Sequence, residues 1–85
     1  MYEVIIPPKV EKQLNKISGK DFDRIFTTIL SLEKEPRPPK VVKLRVKELG
    51  EYRIRQGDWR IRYDVDDEKR RVYILDVSRR NRAYD

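Results

Sequence analysis

Arginine occupies alternate positions in the stretch YRIRQGDWRIRYDVD, which covers residues 52–66. Arg53 and Arg55 precede a Gln-Gly-Asp turn, and Arg60 and Arg62 follow it. Because successive side chains of a β-strand point to opposite faces, this spacing predicts a hairpin with its guanidiniums clustered on one face. Like charges placed opposite each other destabilise a sheet unless acidic groups or a polyanion neutralise them. The planar guanidinium matches phosphate geometry, so the pattern favours a phosphate-binding surface.

A surface lattice of ion pairs is the structural alternative for the same residues. Three acidic side chains lie close to the arginines in the sequence: Glu51, Asp64 and Asp66. Exposed ion pairs contribute only about 0–1 kcal/mol each. Such a lattice would therefore compensate the repulsion weakly, and phosphate binding is the favoured interpretation.

The chain has no histidine and no cysteine, and so lacks the commonest general base and any thiolate nucleophile. The consecutive acids Asp66, Asp67 and Glu68 are typical of a turn, and the sequence predicts neither a metal site nor a cofactor. Cleavage of RNA stays open, because RNA carries its own nucleophile, the 2′-hydroxyl. Arginine would stabilise the charged transition state. Since arginine stays protonated, proton transfer would need a tyrosine, a carboxylate or a group on the partner.

Length and composition predict one globular domain in the cytoplasm. The 85 residues are 38% hydrophobic, enough for a single core. The net charge of +6 is uneven: residues 1–39 carry seven basic and six acidic side chains, and residues 40–85 carry fourteen and nine. A basic half is typical of proteins with phosphate-rich partners. The apolar run at residues 4–6 is too short for a signal peptide or a membrane span.

The first half of the chain predicts one strand and two helices. Residues 2–6 have strand composition and end at Pro7-Pro8, where a helix can begin. The stripe of the first helix consists of Val10, Leu14 and Ile17. We expect Gly19 to stop this helix and Asp21 to cap a second one, which ends before Pro36.

The second half predicts strands. Residues 41–46 indicate a strand with Lys43 and Arg45 on one face, and the hairpin of residues 52–66 follows. Residues 71–78 are apolar on both faces, which predicts a strand inside the sheet. The predicted fold is α+β in the order β-α-α-β-β-β, with a helical hairpin packed on one face of a mainly antiparallel sheet.

Nearly the whole chain resembles the RelE/ParE superfamily of bacterial and archaeal toxins, and specifically its RelE branch. The resemblance rests on the order of elements, the hairpin LGEYRIRQGDWRIRYDVD and the ending VSRRNRAYD. It implies a single RelE-like toxin domain over residues 1–85. Toxins of the RelE type enter the ribosomal A site and cleave mRNA by metal-free attack of the 2′-hydroxyl. The implied partners are a cognate antitoxin, the ribosome and mRNA.

The resemblance also implies roles for individual residues. Arg60, after the aromatic residue of the hairpin, is similar to the phosphate-stabilising arginine of the family. Arg80 and Tyr84 match the arginine and tyrosine that end RNA-cleaving members. Arg53 and Arg55 stand where RelE-type relatives often carry lysine, which can lose its proton and act as a base, so the base stays unassigned. Five further basic residues are predicted to bind RNA: Lys43, Arg45, Arg62, Arg79 and Arg82.

Two alternatives within the superfamily stay open. A ParE-type inhibitor of DNA gyrase shares the fold and does not need the Arg/Tyr ending. A catalytically degenerate member would bind RNA or an antitoxin without cutting, which the arginines at positions 53 and 55 would permit. For Tyr84, the structural alternative is a tail tyrosine that packs on the sheet.

Overall fold

Two helices pack on one face of a sheet in residues 1–79, the part of the chain that the computed structural model describes. The elements are β1 (Glu3–Ile5), α1 (Pro8–Asn15), α2 (Gly19–Ser31), β2 (Val42–Lys43), β3 (Tyr52–Gln56), β4 (Trp59–Asp66) and β5 (Arg71–Arg79). A turn of 3-10 helix at Lys47–Leu49 lies between β2 and β3. This arrangement confirms the predicted α+β fold and the helical hairpin on one face of a mainly antiparallel sheet, in which the strand predicted before the hairpin is the short β2.

The sheet has the order β1-β5-β4-β3-β2. The strand β1 runs parallel to β5, and the other neighbours are antiparallel. The prediction that residues 71–78 form an inner strand is confirmed, since β5 lies between β1 and β4. None of the helices in the described part of the chain has the length and apolar character needed to cross a membrane.

The core lies between the helices and one face of the sheet. It contains Val10, Leu14, Ile17, Ile25, Ile29, Leu32, Ile54, Ile61, Tyr63, Val72, Ile74 and Val77. In β4, Ile61 and Tyr63 are fully buried against the helices. Alternation therefore turns Arg60 and Arg62, on either side of Ile61, to the opposite face. Burying an aliphatic side chain stabilises a fold by about 1.5–3 kcal/mol, so the core fixes which face carries the arginines.

The junction between the helices differs from the prediction. Helix α1 ends at Asn15, and Gly19 begins α2 with a left-handed φ of 64°. Its backbone conformation, easily adopted only by glycine, reverses the chain at this point. The prediction that Asp21 caps the second helix is wrong, because the extended residue Ser18 occupies that position. Asp21 lies in the first turn, where its negative charge interacts favourably with the helix dipole.

The strand predicted over residues 41–46 is reduced to Val42–Lys43. Lys43 pairs with Tyr52 of β3, so it shares the face that the helices cover. The chain then leaves the sheet and turns before reaching β3, so Arg45 lies outside the strand. The prediction that Lys43 and Arg45 share one strand face is therefore wrong.

An ion pair joins the connection after α2 to the turn between β4 and β5. Arg37 donates from Nη1 and Nη2 to the two carboxylate oxygens of Asp67, at 3.1 and 2.9 Å. Its Nε also donates to the hydroxyl of Tyr52 at 2.8 Å. The hydrogen bonds from Arg37 and from Tyr2 lower the pKa of Asp67. The sequence predicts that Asp67 is an ordinary turn residue. In the structure its side chain also joins the turn to Arg37 and Tyr2, which are distant in the sequence.

Candidate nucleic-acid interface

The four arginines of the hairpin face one another across β3 and β4. Arg53 is opposite Arg62, and Arg55 is opposite Arg60. All four are on the sheet face away from the helices, since the alternating residues Ile54 and Ile61 are buried. The structure thus brings together the cluster that the spacing predicts.

A cleft of about 440 Å³ opens on this face. Its floor consists of side chains from β3, β4 and β5, and its side consists of the segment 44–49, which we call the wall segment. The lining residues are Leu44, Arg45, Val46, Leu49, Arg53, Arg60, Arg62, Asp76 and Ser78. The cleft therefore joins a basic floor to an aliphatic wall, on which Val46 is 51% and Leu49 43% exposed.

Burial holds two of the floor arginines in defined positions. The Nε atoms of Arg53 and Arg60 are buried, and each side chain lies on a strand with neighbours on both sides. Arginine keeps its charge in such surroundings because the guanidinium holds its proton very strongly. Two preorganised cations at the floor of one cleft suit a ligand that carries or develops negative charge.

Asp76 is a residue of the cleft that sequence analysis missed. Continued alternation from Val72 and Ile74 would place Asp76 in the core. The register between β4 and β5 shifts after Arg62, so that Ile74 is opposite Tyr63 and Asp76 is opposite Arg62. This β-bulge turns the carboxylate to the arginine face. A lone acidic residue in an apolar strand was the available signal, since a buried carboxylate needs a partner.

The carboxylate of Asp76 contacts two elements. It lies 3.3 Å from Nη2 of Arg62 and 3.5 Å from Nζ of Lys9, and Oδ1 accepts a hydrogen bond from Nε2 of Gln13 at 2.8 Å. Burial alone would raise the pKa of Asp76, but the hydrogen bonds from Gln13 and Ser78 and the nearby Arg62 outweigh it, and the pKa is lowered. Asp76 is therefore a stable anion with most of its oxygen sites engaged, which makes it a poor general base.

The acidic residues expected to neutralise the arginines make backbone contacts. Asp64 accepts a hydrogen bond from the amide of Glu51 at 2.8 Å, and Glu51 accepts one from the amide of Val65 at 2.9 Å. Asp66 accepts one from the amide of Lys69 at 3.1 Å. Each of the three carboxylates therefore stabilises the local backbone by accepting a hydrogen bond from an amide.

The remaining predicted residues have different positions. Arg45 lines the cleft, and Arg55 is exposed on the same face beside the hairpin turn. Lys43 lies on the helix face, as described above. Arg79 is opposite Trp59 in the sheet, and its guanidinium lies 5.0 Å from the centre of the indole ring. It is not among the residues that line the cleft. Three predicted residues are outside the described part of the chain: Arg80, Arg82 and Tyr84.

No group of three or more acidic side chains placed to hold a metal ion occurs within residues 1–79. Among the described residues, the cleft on this face is lined mainly by guanidiniums, one compensated carboxylate and an aliphatic wall.

The family model of the ParE toxin of type II toxin-antitoxin system, parDE, matches residues 4–84. The chain therefore belongs to the RelE/ParE superfamily and is a toxin of a type II toxin–antitoxin system. A search of curated protein sequences gave no match.

Solved structures support this assignment. The archaeal RelE–RelB complex from Pyrococcus horikoshii OT3 contains a chain that is 32% identical, with a TM-score of 0.82 over 95% of this chain and 97% of that one. The toxin–antitoxin complex RelBE2 from Mycobacterium tuberculosis gives 28% identity and a TM-score of 0.80 over 93% and 98%. The isolated RelE toxin of E. coli shares the fold, at 22% identity and a TM-score of 0.79 over 95% and 86%.

Proposed function

We propose that this toxin is a ribosome-dependent endoribonuclease, which cleaves mRNA in the ribosomal A site by metal-free attack of the 2′-hydroxyl. The observation that carries the proposal is the position of Arg53 and Arg60 on the floor of one cleft. Their guanidiniums extend from paired strands of a sheet with a packed core behind it. They would need little reorganisation when charge develops on a bound phosphate.

In the proposed reaction, the 2′-oxygen forms a bond to the adjacent phosphorus while the bond to the 5′-oxygen of the next nucleotide breaks. The products are a 2′,3′-cyclic phosphate and a 5′-hydroxyl. Arg60 and Arg53 would stabilise the additional negative charge on the phosphate oxygens. Arg55, exposed beside the hairpin turn, would bind the neighbouring backbone.

The proton of the 2′-hydroxyl must leave, and the 5′-oxygen must gain one. Arginine is unsuited to accept a proton because it stays charged, and the lowered pKa of Asp76 makes its carboxylate a weak base. We assign Arg80 to phosphate stabilisation and Tyr84 to orientation of the base or proton transfer, on their match to the family pattern. Groups of the ribosome would supply what the toxin lacks.

A cognate antitoxin is the proposed protein partner. The similar structures from P. horikoshii and M. tuberculosis are of toxin–antitoxin complexes. Acidic side chains on the antitoxin would neutralise the arginine face, whose half of the chain carries most of the net charge of +6. We place the toxin in the cytoplasm, where its proposed target, the translating ribosome, is found.

Cell-free translation of a defined mRNA tests the proposal. Purified toxin is added, and the 5′ ends of the mRNA are mapped by primer extension, with the same mRNA lacking ribosomes as control. New ends at A-site codons that need ribosomes, and that disappear with Arg80→Ala, support the proposal. Intact mRNA at a toxin concentration equal to that of the ribosomes would overturn it.

Inhibition of DNA gyrase is the second candidate function, and the match to the ParE family model favours it. A gyrase inhibitor would act by binding, so the arginine face would contact an acidic protein surface or DNA phosphate. A supercoiling assay separates the two functions, because the endoribonuclease leaves gyrase active.

A further inference from the structure

The guanidinium of Arg62 is engaged by two groups of the protein itself. Its Nη1 donates to the carbonyl oxygen of Leu49 at 2.8 Å, and its Nη2 lies 3.3 Å from Oδ2 of Asp76. The side chain of Arg62 is 24% exposed and that of Asp76 is 11% exposed. One guanidinium thus connects the floor of the cleft to the last residue of the 3-10 turn in the wall segment.

The carboxylate that pairs with Arg62 is itself anchored on α1. Gln13 donates to Oδ1 of Asp76, and Lys9 lies within ion-pair distance. A series of contacts therefore runs from α1 through Asp76 and Arg62 to the wall segment. The negative charge of Asp76 also compensates the positive charge of Arg62, which weakens the attraction of this guanidinium for a phosphate.

The wall segment needs such an attachment because it leaves the sheet after β2. The amide of Leu44, at its start, donates to the oxygen of Glu51 at 2.8 Å. Within the turn, the amides of Leu49 and Gly50 donate to the oxygens of Val46 and Lys47, at 3.0 Å each. These bonds shape the turn, and Glu51 fastens the base of the segment to Asp64 and Val65 of β4. The bond from Arg62 adds a second attachment to β4 at Leu49, a residue that lines the cleft.

We propose that Arg62 is a positioning residue: together with Asp76, it holds the wall segment against the arginine face, and it does not itself bind phosphate. This assignment replaces the sequence-based prediction that Arg62 binds RNA. The part that concerns phosphate rests on the proposed function, whereas the attachment of the wall segment is a property of the protein alone. The two parts can therefore be tested separately.

Amide hydrogen exchange of the isolated toxin tests the attachment. Arg62→Met keeps most of the side-chain volume and removes both donors. We expect exchange of the Leu49 and Gly50 amides to become at least about tenfold faster, because the turn opens more often. Arg55→Met is the matched control, since this exposed arginine lies on the same face outside the lining of the cleft, and it should leave those amides unchanged. Unchanged exchange in Arg62→Met would overturn the proposal.

The salt dependence of binding to a single-stranded RNA oligonucleotide tests the absence of a phosphate contact. Each phosphate contact adds about 0.7 to the slope of log K against log salt concentration. Arg53→Met should reduce the slope by about this amount. Arg62→Met should weaken binding several-fold through the displaced wall and keep the wild-type slope. A slope reduced as in Arg53→Met would overturn the proposal.

A second variant, Asp76→Asn, allows the same measurements if Arg62→Met does not fold. Asp76→Asn keeps the shape of the side chain and removes the charge that holds Arg62. We expect faster exchange of the Leu49 and Gly50 amides and no decrease in the salt slope, and either opposite result would overturn the assignment. If the wild-type toxin binds no RNA, the proposed function fails, while the exchange experiment still decides whether Arg62 positions the wall.

Discussion

Gln13 of α1 bonds to the backbone of Val77 as a neighbouring strand would. Its Oε1 accepts a hydrogen bond from the amide of Val77 at 2.8 Å, and its Nε2 donates to Asp76 at 2.8 Å. The strand β1 pairs with β5 only over residues 71–73, so this edge of β5 continues without β1. One helical side chain thus satisfies the backbone where β1 has ended, and it orients the buried carboxylate of the cleft at the same time.

Gln13→Ala should reduce the free energy of unfolding by about 1–3 kcal/mol, because it removes the acceptor of the Val77 amide and one hydrogen-bond donor to Asp76. Gln56→Ala is the matched control, as Gln56 accepts a single bond from Thr28 near the hairpin turn. We expect a smaller loss for it. Urea unfolding measures both values, and equal losses would contradict the strand-like role of Gln13.

Arg60→Ala should abolish most of the cleavage while the fold persists. Loss of one preorganised donor to a transition state typically lowers the rate by about 100- to 1,000-fold. The side chain points away from the helices, so the core remains packed. The measurement is the rate of mRNA cleavage on programmed ribosomes, with far-ultraviolet circular dichroism to verify the fold. A folded variant with wild-type activity would exclude Arg60 from the reaction.

Gly50→Ala should destabilise the toxin much more than Gly57→Ala. Gly50 has φ 105° and ψ 179°, a conformation that is almost confined to glycine. An added Cβ would also lie 2.6 Å from Cδ1 of Leu75. Gly57 has φ 61° with nothing within 4 Å of the added atom, so it should lose only about 1–2 kcal/mol through backbone strain. Thermal unfolding of both variants checks the order, and a similar loss for the two would contradict the contact with Leu75.

Stability should fall on acidification through the pair of Arg37 and Asp67. The pKa of Asp67 is lowered in the folded chain, first by its hydrogen bond with Arg37. Such a group contributes stability above its unfolded pKa, about 4, and loses it as the pH falls through the folded pKa. Asp67→Asn should therefore show a weaker dependence of unfolding free energy on pH below about 4. A residual dependence should remain, because Asp76 also has a lowered pKa.

Salt provides the control for this pair. Both side chains are substantially exposed, Arg37 at 40% and Asp67 at 58%, so the contribution is small and screened by ions. The difference between wild type and Asp67→Asn should shrink at high ionic strength. A difference that is independent of salt would indicate that Asp67 stabilises the fold by packing or hydrogen bonding rather than by its charge.

The local patterns of the sequence determined much of this structure. Alternation in residues 59–66 fixed which side chains of β4 are buried, and the turn at residues 56–58 brought the four arginines to one face. The apolar stripes predicted both helices, although Ser18 rather than Asp21 is the cap of the second. These features follow from the geometry of a few consecutive residues, so they can be predicted without the rest of the fold.

Only the tertiary structure decided the surroundings of the arginines. Lys43 is on the helix face because β2 pairs with β3 for two residues and in one particular register. The bulge between β4 and β5 brought Asp76 opposite Arg62, against the alternation of its own strand. Register between strands depends on packing of residues distant in the sequence, and residues 71–78 are apolar on both faces and carry no local signal for it. The sequence by itself therefore determined the basic face, and the packed sheet determined which arginine is anchored to Asp76 and which arginines line the floor of the cleft.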